Sequence, residues 1–176
     1  MLKKIVIVVV VLLLLLVGVA STKPDSFAVE RSTVIKAPPE KVFALINDFH
    51  HWDQWSPWAK LDTTTMKVTY TGPASGPGAV YEWDGNSKVG QGRMEITEAT
   101  APNKVGIKLD FVKPIEGHNV TVFSITPEGD GSKVVWDMKG PNPFISKLMA
   151  VFVSMDSMIG GDFENGLANL KAVAEK

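Results

Sequence analysis

Cysteine is absent from all 176 residues, which excludes disulfides, thiolate metal sites, a cysteine nucleophile and a lipidated lipoprotein cysteine together. Histidine is nearly as scarce. His50 and His51 are adjacent and His118 is distant, and adjacent side chains diverge in a helix or a strand. Zinc needs three or four converging ligands, so no metal site is expected and His50, His51 and Asp53 read as surface groups. An excess of charge is missing too. Eighteen Lys and Arg against 19 Asp and Glu leave a formal net charge of −1, without the basic face or stripe of a nucleic-acid binder. There is no G-x-S-x-G and no serine tied to a histidine by a local signature. GPGAV (76–80) and GQG (90–92) are turns rather than nucleotide loops, because neither sits between a strand and a helix. No cofactor is expected.

What the chain does contain begins with Lys3 and Lys4, followed by the unbroken apolar run IVIVVVVLLLLLVGVA at 5–20 and an abrupt polar turn over Ser21–Asp25. As a helix this run reaches roughly 24 to 27 Å, a little short of a hydrocarbon core of about 30 Å. Snorkelling lysines and local thinning absorb such a difference. Two readings stand. One is a retained single-pass anchor. The other is a cleaved signal peptide, with Gly18-Val19-Ala20 as its small-residue site, giving a secreted product. The length of the run and its Val/Leu density favour the anchor. In both readings the lysines stay cytoplasmic and the rest of the chain is extracytoplasmic, periplasmic or outside. The expected division is an anchor or signal segment over 1–22, a linker over 23–26 and one α+β domain over 27–176, without internal repeats.

Within that domain FAVERSTVIKA (27–37) alternates like a strand. Pro38-Pro39 then opens a helix carrying Val42, Phe43, Leu45, Ile46 and Phe49 at helical spacing. Six β segments follow, at 66–72, 78–85, 90–100, 104–111, 118–129 and 132–140, divided by glycine- and proline-rich turns such as APNK and GDG. That spacing predicts an antiparallel meander. From Ile145 to Ala174 apolar residues recur every three or four positions, predicting one long amphipathic helix, with Gly160-Gly161 marking a kink or a close approach to the sheet. A helix across a curved antiparallel sheet is the expected product.

This order of elements, together with APPEKVFALINDFHHWDQWSPW, GPGAVYEWDGN, VGQGRMEI, KVVWDMKG and GGDFENGLANLKAV, resembles the SRPBCC superfamily (START/Bet v 1-like). The likeness covers about residues 26–175 and is strongest to the polyketide cyclase/dehydrase and lipid-transport branch. The resemblance implies the helix-grip fold, in which the sheet grips the C-terminal helix around an apolar cavity. It implies less about function, since the superfamily includes transporters, binders, cyclases and stress-response proteins.

Trp52, Trp55 and Trp58 are spaced three apart and share one side of a helix or turn. Packing at the helix–sheet junction is the plain reading, with Trp55 and Trp58 also shaping a pocket mouth, while the HHWD portion is left to solvent. A membrane-interface belt is disfavoured, because the linker sets no particular face against the bilayer. Strand alternation that turns Tyr81 and Trp83 inward sends Glu82 and Asp84 outward; if Met94 and Ile96 face in, Arg93 and Glu95 face out. The expected cavity lining from the strands is Tyr81, Trp83, Met94, Phe111, Phe123 and Trp136. From the helix it is Met149, Phe152, Met155 and Met158, whose flexible thioethers suit varied apolar ligands. Arg31 shares the face of Phe27, Val29, Thr33 and Ile35, as a structural ion pair or a contact for a ligand's polar head. The favoured function is binding or transport of a hydrophobic small molecule or lipid beside the membrane, where tethering raises its effective concentration. The alternatives are a cyclase- or dehydratase-type enzyme and a stress-response or interaction module with a vestigial cavity. The few inward charges favour binding over catalysis.

Overall fold

The computed structural model describes residues 1–176. Its elements run α1 Leu2–Ser21, β1 Ser26–Ile35, α2 Pro39–Ile46, two 3₁₀ turns at Phe49–Gln54 and Pro57–Lys60, β2 Lys67–Thr71, β3 Val80–Asp84, β4 Gln91–Thr100, β5 Lys104–Lys113, β6 Gly117–Glu128, β7 Gly131–Pro141, α3 Phe144–Met149 and α4 Met155–Ala174.

Strands β2 to β7 form a meander in chain order, and β1 joins its far edge against β7, so the sheet reads β1-β7-β6-β5-β4-β3-β2 with every pair antiparallel. Register shifts in the β4–β5 pair, at Gln91/Gly92 and at Ile96/Glu98, bend β4 and add to the curvature. At the first of these Trp83 lies across Gly92, its cross-strand partner, where a Cβ would overlap the indole. One face of the sheet is apolar and carries α4. The other carries ion pairs such as Arg93 Nη1 to Glu95 Oε2 at 2.7 Å, with Glu82 and Asp84 exposed.

Pro39 stands in the first turn of α2, where its missing N–H is no loss. The helix ends at Ile46, and its last carbonyls are taken by the tryptophans that follow. Trp52 Nε1 donates to Ile46 O at 2.9 Å and Trp55 Nε1 to Leu45 O at 3.1 Å. These indoles satisfy two of the acceptors every helix leaves orphaned at its C-terminus. Trp52 is 5 % exposed, so the HHWD portion does not belong to solvent as a unit; His50 and Asp53 face out, His51 is half-buried and the tryptophan faces in.

The C-terminal helix differs from the single element its periodicity predicts. It breaks over 150–154 into α3 and α4, because Ser154 caps a new helix by accepting from Ser157 N at 3.1 Å, with Asp156 in the first turn. Past that cap α4 is continuous through Gly160-Gly161. Gly160 is a close approach rather than a kink: a Cβ there would overlap the Arg31 guanidinium on β1.

α1 is long and apolar enough to cross a membrane.

Candidate functional site

The face of the sheet beneath α4 is built in rows by the strand register. Arg31, Trp136, Phe123 and Val105 stand side by side across β1, β7, β6 and β5. Another row runs Asn119, Leu109, Met94, Tyr81 and Tyr70 across β6 to β2, and beyond it lie Phe111, Gly92, Trp83 and Val68.

The two ends of these rows differ in burial. At the end that holds the β6–β7 turn, Ile35, Ile96, Val105, Ile125 and Val134 are 0 % exposed; α2 packs on β5, β6 and β7, and α4 on β1. Next to them an aromatic stack closes the interior. Trp55 meets Phe123 and Trp136 edge-on at 6.0 and 5.8 Å, and Phe163 of α4 lies parallel to Trp136 at 4.2 Å. At the opposite end, where β1 begins and β7 hands over to α3, Phe27, Leu109, Phe111, Met155 and Ile159 are half-buried, while Trp83 and Met94 beside them are buried. Asn119 is the polar group among them. Its Oδ1 fills the space above Gly140, beside the Phe27 ring. Thr121, one step deeper, is satisfied: it donates to Asp137 O and accepts from Trp136 Nε1, each at 2.8 Å.

The sequence-predicted residues therefore divide three ways. Trp55, Phe123 and Trp136 belong to the closed aromatic stack, and Trp58 flanks it, edge-on to Trp136 at 5.9 Å. Tyr81, Trp83, Met94, Phe111 and Met155 lie toward the open end. Met149, Phe152 and Met158 lie outside the interior, 44, 76 and 51 % exposed, because the break before Ser154 turns them off the inner face. The open-end residues Phe27, Leu109, Asn119 and Ile159 are absent from the sequence-derived set. Strand alternation from Phe123 and Phe111 places Asn119 and Leu109 inward, and that signal was available.

Arg31 takes up a structural role under α4. Its Nε donates to Glu164 Oε1 at 2.6 Å and its Nη1 to Asp156 Oδ1 at 2.7 Å. Those bonds hold the guanidinium charged and pull the Asp156 carboxyl below its ordinary value. Asp62 is likewise structural. Bonds from Thr65 Oγ1, Thr65 N and Asn86 N tie the 3₁₀ region to the β3–β4 turn and hold the carboxylate well below its usual range. Burial pushes the Tyr81 phenol up to about 12, with neighbouring Tyr70 adding to the rise.

A separate hollow of about 240 Å³ opens at the β2 edge, lined by Phe49, His50, Tyr70, Gly72, Pro73 and Val80 among others. His50 stacks on Tyr70 at 4.1 Å, and its Nδ1 lies 2.7 Å from Asp48 Oδ1.

Residues 26–175 match the family model described as polyketide cyclase / dehydrase and lipid transport. No curated protein matches the chain. Among solved structures it is similar to major latex-like protein 151 from Panax ginseng, at 14 % identity and a TM-score of 0.61 over 87 % of this chain and 100 % of that one. It is also similar to the Aha1 dimer of Colwellia psychrerythraea (16 % identity, TM-score 0.57, 85 % of this chain and 96 % of that one). The di-domain ARO/CYC BexL of the BE-7585A biosynthetic pathway aligns at 15 % identity and TM-score 0.59, over 91 % of this chain and 53 % of that one. At these identities the likeness is one of fold.

Proposed function

This chain belongs to the polyketide cyclase/dehydrase and lipid transport family, and from that premise we propose that it binds a hydrophobic small molecule or lipid at the open end of its concave face, tethered to a membrane by α1. The observation that carries this reading is the gradient of burial. The far end of the face is packed solid, whereas the end beside α1 presents half-buried Phe27, Leu109, Phe111, Met155 and Ile159 around one polar side chain, Asn119. A mostly apolar surface with a single convergent polar group suits an apolar ligand with one polar head. Met155 is flexible enough to yield to such a ligand, while Trp55, Phe123 and Trp136 form the floor.

Arg31 lies outside this reading, since two carboxylates already occupy it. Native mass spectrometry of the full chain released from phosphatidylcholine nanodiscs tests it. One apolar molecule retained per chain is expected, and a spectrum of bare chain alone sinks the reading.

One observation favours an enzyme of cyclase type instead. Asp48 Oδ1 lies 2.7 Å from His50 Nδ1 and orients the imidazole at the rim of the β2-edge hollow, a carboxylate–histidine pair suited to moving a proton. In that case His50→Gln abolishes turnover of a poly-β-ketone substrate without loss of fold; unchanged turnover discards it.

A further inference from the structure

α3, the turn joining it to α4 and the first turn of α4 carry an apolar surface that the domain's own core leaves uncovered. Phe144, Ile145, Met149, Phe152, Val153 and Met158 are 44 to 76 % exposed. Single exposed apolar side chains are ordinary, but six within one short stretch of chain mark an interaction site.

The position of this surface identifies its partner. α3 packs against α1, and the residues of α1 withdrawn from solvent are Leu16, half-buried, and Ala20, fully buried, one turn apart on one side of the helix. Leu16 precedes the last residue of α1, Ser21, by a little more than one turn, which is about 7 to 8 Å along the axis. Amphipathic segments that lie in a bilayer surface sink to a comparable depth, about 5–10 Å into the headgroup and acyl boundary. Lys147 is the one charged residue of α3, and its ammonium is turned aside onto Asp25 rather than onto the apolar face. The exposed apolar face of α3 is therefore continuous with the apolar sides of α1 and carries no free charge of its own.

The geometry points to a second membrane contact: α3 and the α3–α4 turn dock into a phospholipid surface beside α1 and hold the open end of the concave face against the bilayer. This rests on the reading of α1 as a retained membrane span. The contact is hydrophobic, so it depends little on salt or on anionic lipid. Its consequence is a route by which an apolar molecule passes from the bilayer to Met155 and Phe27 without crossing water.

The absence of cysteine makes the test clean. The full chain carrying Val9→Cys, Phe152→Cys, Met158→Cys or Asp130→Cys, each labelled with an environment-sensitive fluorophore, is reconstituted in phosphatidylcholine bilayers with brominated acyl chains. Labels at 9, 152 and 158 are expected to be quenched several-fold more than the label at 130, which sits in the distal β6–β7 turn, and high salt leaves the pattern unchanged. Quenching at 9 but at neither 152 nor 158 overturns the docking and leaves the span intact. Failure to quench at 9 overturns the span, and the docking with it.

Discussion

The indole of Trp136 and the ring of Phe163 lie stacked, centroids 4.2 Å apart and planes inclined by 14°, and this contact seats α4 on β7. Phe163 is 1 % exposed, so truncating it empties space in the centre of the aromatic stack. Phe163→Ala is expected to cost about 3–5 kcal/mol, and Phe163→Leu less, because leucine refills part of the volume. Chemical denaturation of the full chain in nanodiscs, followed by tryptophan fluorescence, measures both.

Gly160 and Arg31 form a lock of a different kind. The guanidinium occupies the space a Cβ on Gly160 would need, so Gly160→Ala is expected to destabilise the protein although alanine favours helix. In an Arg31→Ala background the clash is gone and the same substitution should stabilise, by up to about 1 kcal/mol of helix propensity. A double-mutant cycle reads the reversal of sign, and the same sign in both backgrounds contradicts it.

Tyr81 gives the fold an alkaline limit. Burial raises its phenol from 10.0 to about 12 in the folded state. The neutral ring is thus favoured by folding, its contribution is complete below pH 10, and it is lost as pH rises through 12. Stability should decline across that window, and Tyr81→Phe should remove the latest step from the phenolate absorbance titration.

Asn119 is expected to bear on function more than on stability. Its side chain lies among Phe27, Gly140 and Leu109 at the half-buried end, so Asn119→Leu should change the unfolding midpoint little. If Asn119 meets a ligand's polar head, the same variant should retain less apolar ligand in native mass spectrometry.

Much of this was legible in the sequence. The meander could be read because turn residues interrupt every strand, and the observed strands match the expected segments within a few residues at each end. The family resemblance rested on the same order of elements and holds over residues 26–175. The break before α4 escaped because apolar spacing carries across it unaltered. Ser154 followed by Asp156 was the competing signal, an N-cap in the middle of a periodic run. Trp52 was read both as packing with Trp55 and Trp58 and as part of a solvent-facing HHWD, and the structure bears out the first. Only the folded chain shows that its indole N–H meets the carbonyl of Ile46. Arg31 could be placed on the inner face by alternation, but its partners Asp156 and Glu164 lie more than a hundred residues away, where no local pattern reaches.

The central claim, an apolar ligand held at the open end of the concave face, is tested most directly by photo-crosslinking. The full chain in phosphatidylcholine nanodiscs is irradiated with either a diazirine-bearing fatty acid or a diazirine-bearing phospholipid, and the adducts are mapped by peptide mass spectrometry. The account predicts adducts on the segments that carry Leu109–Asn119 and Met155–Ile159. Adducts confined to α1 and α3, with none on β5 or β6, would contradict it.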